Sequence, residues 1–396
     1  MANPVLILTR HYSPEPTGSA PVLQQTAEWL ARNGQAVEVV TVRPNYPEGR
    51  IFAGYEHGQH DDSVENGVRV LRWRTWPVKG TKLLARALPE MRFMVELLAA
   101  RTTGRLRPSR RVISLCPSIL TVLGALPLKA KGGRHVAIIH DIQSGLGSAI
   151  EGGSPIMSLL RRVEVFALNR VDHMVVLSHA MERALRELGV TAPALVVPPH
   201  IDVRGISPLP RPEGAPPTLM YSGNLGRKQG LGQLLDLAAI LRTEAPDVRI
   251  LVRGDGAMRA ELVAQAESQG LDNIRFEGLV AQSEVGRSLS EGDVHLVPQL
   301  AGGREFAVPS KAFAIMAAGR PFVATADAGS PLHDLAQTAE ACICTEAGDA
   351  RAFADAALGL LRDPAARARM GVAGRAYVER EAATDVVMSR ILALFD

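Results

Sequence analysis

Short apolar, β-branched runs alternate with longer helical stretches along the whole chain, and one proline-dense segment divides that alternation in two. Seven of the twenty residues from 198 to 217 are proline, too many for a helix or a central strand, because each fixes φ and removes an N–H donor. The runs before it fall at 5–10, 37–43, 68–74, 111–117, 135–141, 173–178 and 194–197, and those after it at 218–222, 248–253, 274–276, 294–297, 321–325 and 341–344. Strands of this kind, spaced by helices, build parallel sheets covered on both faces. The pattern predicts a helix over 19–33, stopped by Gly34, and further helices over 230–243 and 257–269. A chain of 396 residues exceeds what one core usually supports. The predicted fold class is therefore α/β, with two Rossmann-like doubly wound domains facing across a cleft. The expected boundaries are 1–200, 201–380 and a C-terminal helix over 381–396 that packs back on the first domain. Open parallel sheets bind ligands at the carboxyl ends of their strands, so the loops there decide function.

Composition removes several alternatives. No apolar run reaches about 18 residues, so no helix is expected to span a bilayer. Val5-Leu6-Ile7-Leu8 follows the first residues without a basic region or cleavage site and reads as a strand, which places the protein in the cytoplasm. Cys116, Cys342 and Cys344 supply neither a disulfide framework nor zinc spacing and read as core filler. Charge is uneven: up to Val190 there are 24 Lys and Arg against 16 Asp and Glu, and afterwards 20 against 25. From Lys79 to Arg111, nine basic residues meet only Glu90 and Glu96, interleaved with Leu83, Leu84, Leu88, Met91, Val95 and Leu98. This segment has two readings: a core-facing helix with a solvated basic side, or a basic amphipathic helix in peripheral contact with an anionic membrane at its inner face. Aromatic content of 4% and the lack of a binding motif argue against nucleic acid.

The loops carry an anion-binding signature. After the first strand, Gly18 and Ser19 stand where a helix begins, so exposed amides meet the positive helix end. In the second series, Gly223-Asn224-Leu225-Gly226-Arg227-Lys228-Gln229-Gly230 follows a strand and leads into a helix. Its glycines admit phosphate and Arg227 and Lys228 neutralise it. Gly254 ends the next strand, and the backbone around Leu279 and Val280 ends another, where a base edge can be read. Ser310 and Lys311 open a short helix, where a hydroxyl caps and a lysine contacts phosphate or ribose. Neither first crossover supplies Gly-x-Gly-x-x-Gly, which disfavours NAD.

These residues carry a family resemblance. Through the 12–21 loop, Pro44-Asn45-Tyr46-Pro47-Glu48-Gly49, His140-Asp141, the 221–230 segment and the 309–321 segment, nearly the whole chain resembles the family 4 retaining glycosyltransferases of GT-B architecture. The similarity is to the bacterial branch that builds cell-surface polysaccharides and glycoconjugates. It implies transfer of a sugar from a nucleotide-diphosphate sugar, UDP favoured over GDP, to an acceptor hydroxyl with retention. By the same resemblance the first domain is the acceptor side and the second holds the donor. The diphosphate falls to Gly18-Ser19 and the Gly223 loop, the base to the Leu279 and Val280 backbone, and the donor sugar to His140. Asp141 lies on the acceptor side. The acceptor is a glycan, a lipid-linked saccharide or a small molecule, and no metal or other cofactor is expected.

The chain departs from the family pattern in two places. Asn224 and Gln229 stand where many members have arginine and lysine, so Arg227 and Lys311 must supply charge. The family's paired glutamates fall on Phe306 and Ala314, which leaves Glu305, one place early, as the catalytic carboxylate, or the Gly302-Gly303 amides in its stead. Two rivals share the two-domain shape: a nucleotide-sugar 2-epimerase, which needs acidic groups to handle a proton at carbon, and a non-catalytic nucleotide-sugar-binding protein, favoured by the missing carboxylate.

Overall fold

The apolar runs pair almost entirely in parallel. A computed structural model describes the chain except for residues 1–2, 17–18, 47–48, 76–82, 117, 143–154 and 303–305, and except for the side chains of 83–86, 155–157 and 282. The chain divides into two units, Met1–Val197 with Met388–Asp396, and Pro198–Val387.

Among the described residues the first unit holds eight strands: β1 Val5–Leu8, β2 Val37–Val42, β3 Asp62–Glu65, β4 Val68–Trp73, β5 Ser109–Cys116, β6 Lys129–Ile139, β7 His173–Val176 and β8 Ala194–Val196. They lie in the order β3-β4-β2-β1-β5-β6-β7-β8. Every pair is parallel except the edge hairpin of β3 with β4. In the centre, β1 pairs with β2 and β5, matching Val5 to Val37 and to Arg111. All four β1 side chains are buried, as helices on both faces of a sheet require. The first crossover helix runs Ala20–Arg32, flanked by Ser19 and Asn33 as its caps. At the other end of the chain, the 3-10 turn Ala393–Phe395 lies against β6.

Among the described residues the second unit holds six parallel strands: β9 Thr218–Ser222, β10 Arg249–Arg253, β11 Ile274–Glu277, β12 Val294–Pro298, β13 Phe322–Thr325 and β14 Cys342–Thr345. Their order is β11-β10-β9-β12-β13-β14. Numbered within the unit this is 3-2-1-4-5-6, the doubly wound order whose direction of winding reverses between β9 and β12. Ligands of such sheets sit at the carboxyl ends of the strands on either side of that reversal, and the loop after β9 is the one that begins at Gly223. The core beneath it includes Leu219, Leu225, Leu234, Ile250 and Leu296. Each fully buried aliphatic side chain contributes about 1.5–3 kcal/mol. The entry to the proline-rich segment is fixed within this unit by Ile201, which bridges in parallel to Ala383 and exchanges backbone hydrogen bonds with Ala382 and Thr384.

Some boundaries differ from expectation. β3 was not among the predicted strands, and β6 begins at Lys129, six residues ahead of its apolar run. Among the described residues no helix is long and apolar enough to cross a membrane. All three cysteines are free; Cys116 and Cys342 are buried and Cys344 half-buried.

Candidate nucleotide-sugar site

The loop after β9 is held open by its neighbours. Gly223 N–H donates to the Arg253 carbonyl at 3.0 Å, Leu225 N–H to the Asp255 carbonyl at 2.8 Å, and Met258 N–H to the Leu225 carbonyl at 2.9 Å. Leu225 is buried and acts as the peg of the loop. Gly254 passes so close that a Cβ there would lie 1.9 Å from the Gly223 carbonyl oxygen. No side chain fits, and the backbones of half-buried Gly223 and buried Gly254 lie directly against each other.

Against this loop lies the helix Ser310–Ala317. Its Lys311 Nζ donates to the Tyr221 hydroxyl at 2.6 Å and to Gln229 Oε1 at 3.0 Å, and sits 4.0 Å from the Tyr221 ring centroid. The Tyr221 hydroxyl in turn donates to the Asn224 carbonyl at 2.7 Å. A Cβ on Gly223 would stand 3.1 Å from Lys311 Cε and 3.2 Å from Nζ, so the ammonium lies directly beside the glycine. Burial pushes the Tyr221 phenol up from its ordinary value, so at neutral pH it is an O–H that both accepts from lysine and donates to the loop. Tyr221 was not singled out by the sequence, and Gln229 only as a departure from the family pattern. The one signal was a tyrosine within an apolar strand, since a buried phenol needs a polar partner.

The structure brings Gly223, Asn224, Gly254 and Lys311 together at the carboxyl ends of β9 and β10. It corrects two expectations. Ser310 does not cap its helix: Pro309 holds the N-cap position, no side-chain cap bond forms, and Ser310 is an exposed first-turn residue. Proline's fixed φ already sets the chain into the helix, so no hydroxyl is needed. Arg227 and Lys228 do not lead directly into a helix either; they form their own 3-10 turn, Arg227–Gln229, closed by a left-handed Gly230 before the helix Gly232–Glu244. Both side chains are exposed and form no ion pair with another described residue. Arg253, in contrast, is consumed internally: it is buried, bonds Ser288 Oγ at 2.6 Å and Glu291 at 2.8 Å, and pairs with Glu277. Leu279 and Val280 are exposed beyond β11, two strands out from the reversal. Asp255 receives the Gly256 N–H at 2.8 Å and shapes the turn.

In the first unit, Ser19 is the N-cap residue of Ala20–Arg32, half-buried and without a side-chain cap bond. Gly18 and Glu305 lie outside the described residues. His140 follows β6, half-buried, with its N–H on the Cys116 carbonyl at 3.0 Å. Asp141 Oδ1 accepts from Ile142 N–H at 2.9 Å. The 12–21 loop and the 44–49 loop are joined by Glu15, a buried carboxylate that accepts from Asn45 N–H at 2.8 Å, from Tyr46 N–H at 2.9 Å and pairs with His11 Nδ1 at 2.7 Å.

Comparison with known proteins agrees with this arrangement. Residues 216–363 match the family described as "Glycosyl transferases group 1" and residues 17–200 the one described as "Glycosyl transferase 4-like domain". The chain is 30% identical over 352 residues to WcaI of Escherichia coli (strain K12), named for glycosyl transfer in colanic acid biosynthesis, covering 84% of this chain and 86% of that one. Among solved structures, a sucrose-phosphate synthase from Thermosynechococcus elongatus superposes with a TM-score of 0.77 at 19% identity, over 99% of this chain and 98% of that one. HepE of Anabaena, solved in complex with UDP, gives 0.71 at 16% identity over 98% of both. The chain is a glycosyltransferase of glycan biosynthesis and belongs to the family 4 glycosyltransferases with the GT-B fold.

Proposed function

We propose that the second unit holds the diphosphate of a UDP-sugar on the Gly223 loop and Lys311, and that the sugar passes to an acceptor hydroxyl with retention of its anomeric configuration. The observation that carries this reading is the ammonium of Lys311 set beside the half-buried Gly223 backbone at the reversal of an open sheet. During transfer the bond from the anomeric carbon to the β-phosphate oxygen breaks and the acceptor oxygen bonds to that carbon on the same face. The acceptor's proton passes to the departing phosphate. Negative charge therefore grows on the phosphate, where a preorganised cation and amide dipoles act most strongly. Arg227 and Lys228, exposed on the neighbouring turn, supply further positive charge.

The remaining assignments follow the family resemblance. We propose that Ser19 and Gly18 contact the diphosphate, His140 the donor sugar, Leu279 and Val280 the base through their backbone, Ser310 the phosphate or ribose, Glu305 the sugar as catalytic carboxylate, and Asp141 the acceptor. UDP is favoured because HepE, which shares the fold, was solved with UDP. A glycan acceptor is favoured by the name of WcaI. With protein cations at the leaving group, turnover is expected to continue in EDTA.

The test is incubation with UDP- and GDP-sugars and an acceptor panel, with the product's anomeric configuration read by NMR. Transfer from UDP-sugars with retention supports the reading. Inverted product, or isomerised free sugar without transfer, contradicts it.

A further inference from the structure

The carboxyl ends of β1 and β2 in the first unit carry polar groups that no strand or helix uses. In the order β3-β4-β2-β1-β5-β6-β7-β8 the direction of winding reverses between β1 and β5, so the loop after β1 stands where an open sheet takes a ligand. That loop holds His11 and Glu15, and the loop after β2 holds Asn45 and Tyr46.

The Glu15 side chain is only 1% exposed. Taking a carboxylate out of water is costly unless donors surround it, and here they do. Oε1 accepts the N–H groups of Asn45 and Tyr46, and Oε2 faces His11 Nδ1 at 2.7 Å. Because the carboxylate accepts, Nδ1 carries the imidazole hydrogen and Nε2 keeps its lone pair. The imidazole is 31% exposed. Thr9 fixes its backbone from both sides: Oγ1 accepts from the His11 N–H at 3.2 Å and donates to the His11 carbonyl at 3.0 Å. On the other loop, Asn45 Nδ2 donates to the Arg43 carbonyl at 2.9 Å, and Arg43 forks onto both carboxylate oxygens of Asp61 at 2.8 and 2.7 Å. The residue these bonds hold in place is Tyr46, whose ring is 47% exposed and lies 5.3 Å from the imidazole at 62°. A half-open aromatic ring beside an unused nitrogen lone pair, on backbone anchored by a buried charge, is prepared for a ligand and adds nothing to the core.

We propose that Tyr46 and His11 form the subsite for a neutral pyranose ring of the acceptor. The C–H face of the sugar lies on the Tyr46 ring, one sugar hydroxyl donates to His11 Nε2, and Glu15 is the positioning residue for both. The face of an aromatic ring is electron-rich and attracts polarised C–H bonds, while the imidazole supplies the directed contact that fixes orientation. Among the described residues the only charged group bonded to this pair is a carboxylate, which repels a phosphate or a uronate and selects a neutral sugar. Rigid anchoring keeps the ordering cost of binding low. The acceptor is thereby a saccharide and not a simple alcohol. The inference rests on the transfer to an acceptor hydroxyl proposed above, and is independent of which nucleotide the second unit holds.

The experiment is saturation-transfer NMR of the full chain with the methyl glycosides of glucose, galactose, mannose and fucose, and with glycerol, alongside calorimetric titration of UDP. The wild type is expected to transfer saturation to at least one glycoside, most strongly to the protons of one ring face, and not to glycerol. Tyr46→Ala is expected to weaken that glycoside about fivefold and Tyr46→Trp to retain it, with UDP affinity unchanged in both. In Glu15→Gln the remaining oxygen still accepts from Asn45 and Tyr46, but the new amide donates to His11 Nδ1. The imidazole hydrogen then moves to Nε2, which the ring nitrogen shifts report, and glycoside binding weakens although the loops stay joined. If Glu15→Gln fails to fold, the two Tyr46 variants decide. Saturation transfer to none of the glycosides, equal transfer to glycerol, an unchanged tautomer in folded Glu15→Gln, or a glycoside affinity indifferent to Tyr46→Ala overturns the proposal. A wild type that binds a glycoside through Tyr46 but does not bind UDP upholds this subsite and removes the donor reading instead.

Discussion

Lys311 Nζ donates to the Tyr221 hydroxyl at 2.6 Å while lying 4.0 Å from the centroid of the same ring. One aromatic side chain thus fixes the ammonium twice, through its oxygen and through its π face, and ties it to the loop by the bond from the hydroxyl to the Asn224 carbonyl. The lysine is aimed before any ligand arrives, so little ordering cost falls on binding.

Tyr221→Phe tests that coupling. The ring and its packing stay, and two hydrogen bonds go. A typical buried bond is worth about 1 kcal/mol, so the melting temperature should fall by a few degrees. The donor KM should rise severalfold while kcat for saturating donor changes less. An unchanged donor KM would show that the hydroxyl does not position the lysine.

Gly254→Ala places a carbon where 1.9 Å separates it from the Gly223 carbonyl oxygen. Both partners are backbone, so the loops must part. The loss belongs with severe steric mutations, above about 3 kcal/mol, and donor binding should fall with it. Gly232→Ala is the control, because nothing lies within 4 Å of a Cβ there. Equal urea midpoints for the two variants would contradict the close approach.

Much of the fold can be read from the chain because parallel strands buried on both faces write themselves as apolar runs, and every predicted run became a strand. β3 escaped because Asp62-Ser63-Val64-Glu65 is a polar edge strand with no such run. Its signal was the Asn66-Gly67 turn, whose residues take φ of 49° and 82° as two-residue hairpin turns require. The first half of β6, Lys129 to Arg134, escaped because it is polar and lies ahead of the pairing with β7, which begins at Val136. At the site, the glycine loop and Lys311 were legible from residue type. The link from Lys311 to Tyr221 spans 90 positions, and the join of Glu15 to Asn45 spans 30; no local pattern encodes either.

Stability should fall with acid. His135 is fully buried with Nε2 on Ser114 Oγ at 2.7 Å, and burial pushes its pKa down to about 3. His295, with Nε2 on the Leu289 carbonyl at 3.0 Å, is pushed by burial to about 4. The unfolded chain protonates both near pH 6.5, whereas the folded chain stays neutral until far lower, so the unfolded state binds more protons across that window. Their contribution is complete above about pH 6.5 and declines on acidification, by about 2 kcal/mol per histidine at pH 5. Urea midpoints at pH 7.5 and 5.0 should differ accordingly, and His135→Gln should reduce the difference. Equal midpoints in the wild type would contradict the buried neutral state.

Arg227 and Lys228 stand exposed on their turn, so removing them should cost affinity without stability. Arg227→Ala with Lys228→Ala should weaken UDP binding severalfold, more at low salt than at high, and leave the melting temperature within about a degree. A stability loss equal to that of Gly254→Ala would assign the pair a structural part instead.

The central claim is that a nucleoside diphosphate rests on the Gly223 loop against Lys311. Calorimetric titration of UDP into the wild type and into Lys311→Ala tests it most directly. The account predicts saturable binding by the wild type and affinity lower by about tenfold or more in the variant, as the loss of a charge-assisted contact implies. No binding of UDP by the wild type, or the same affinity in both proteins, would contradict it.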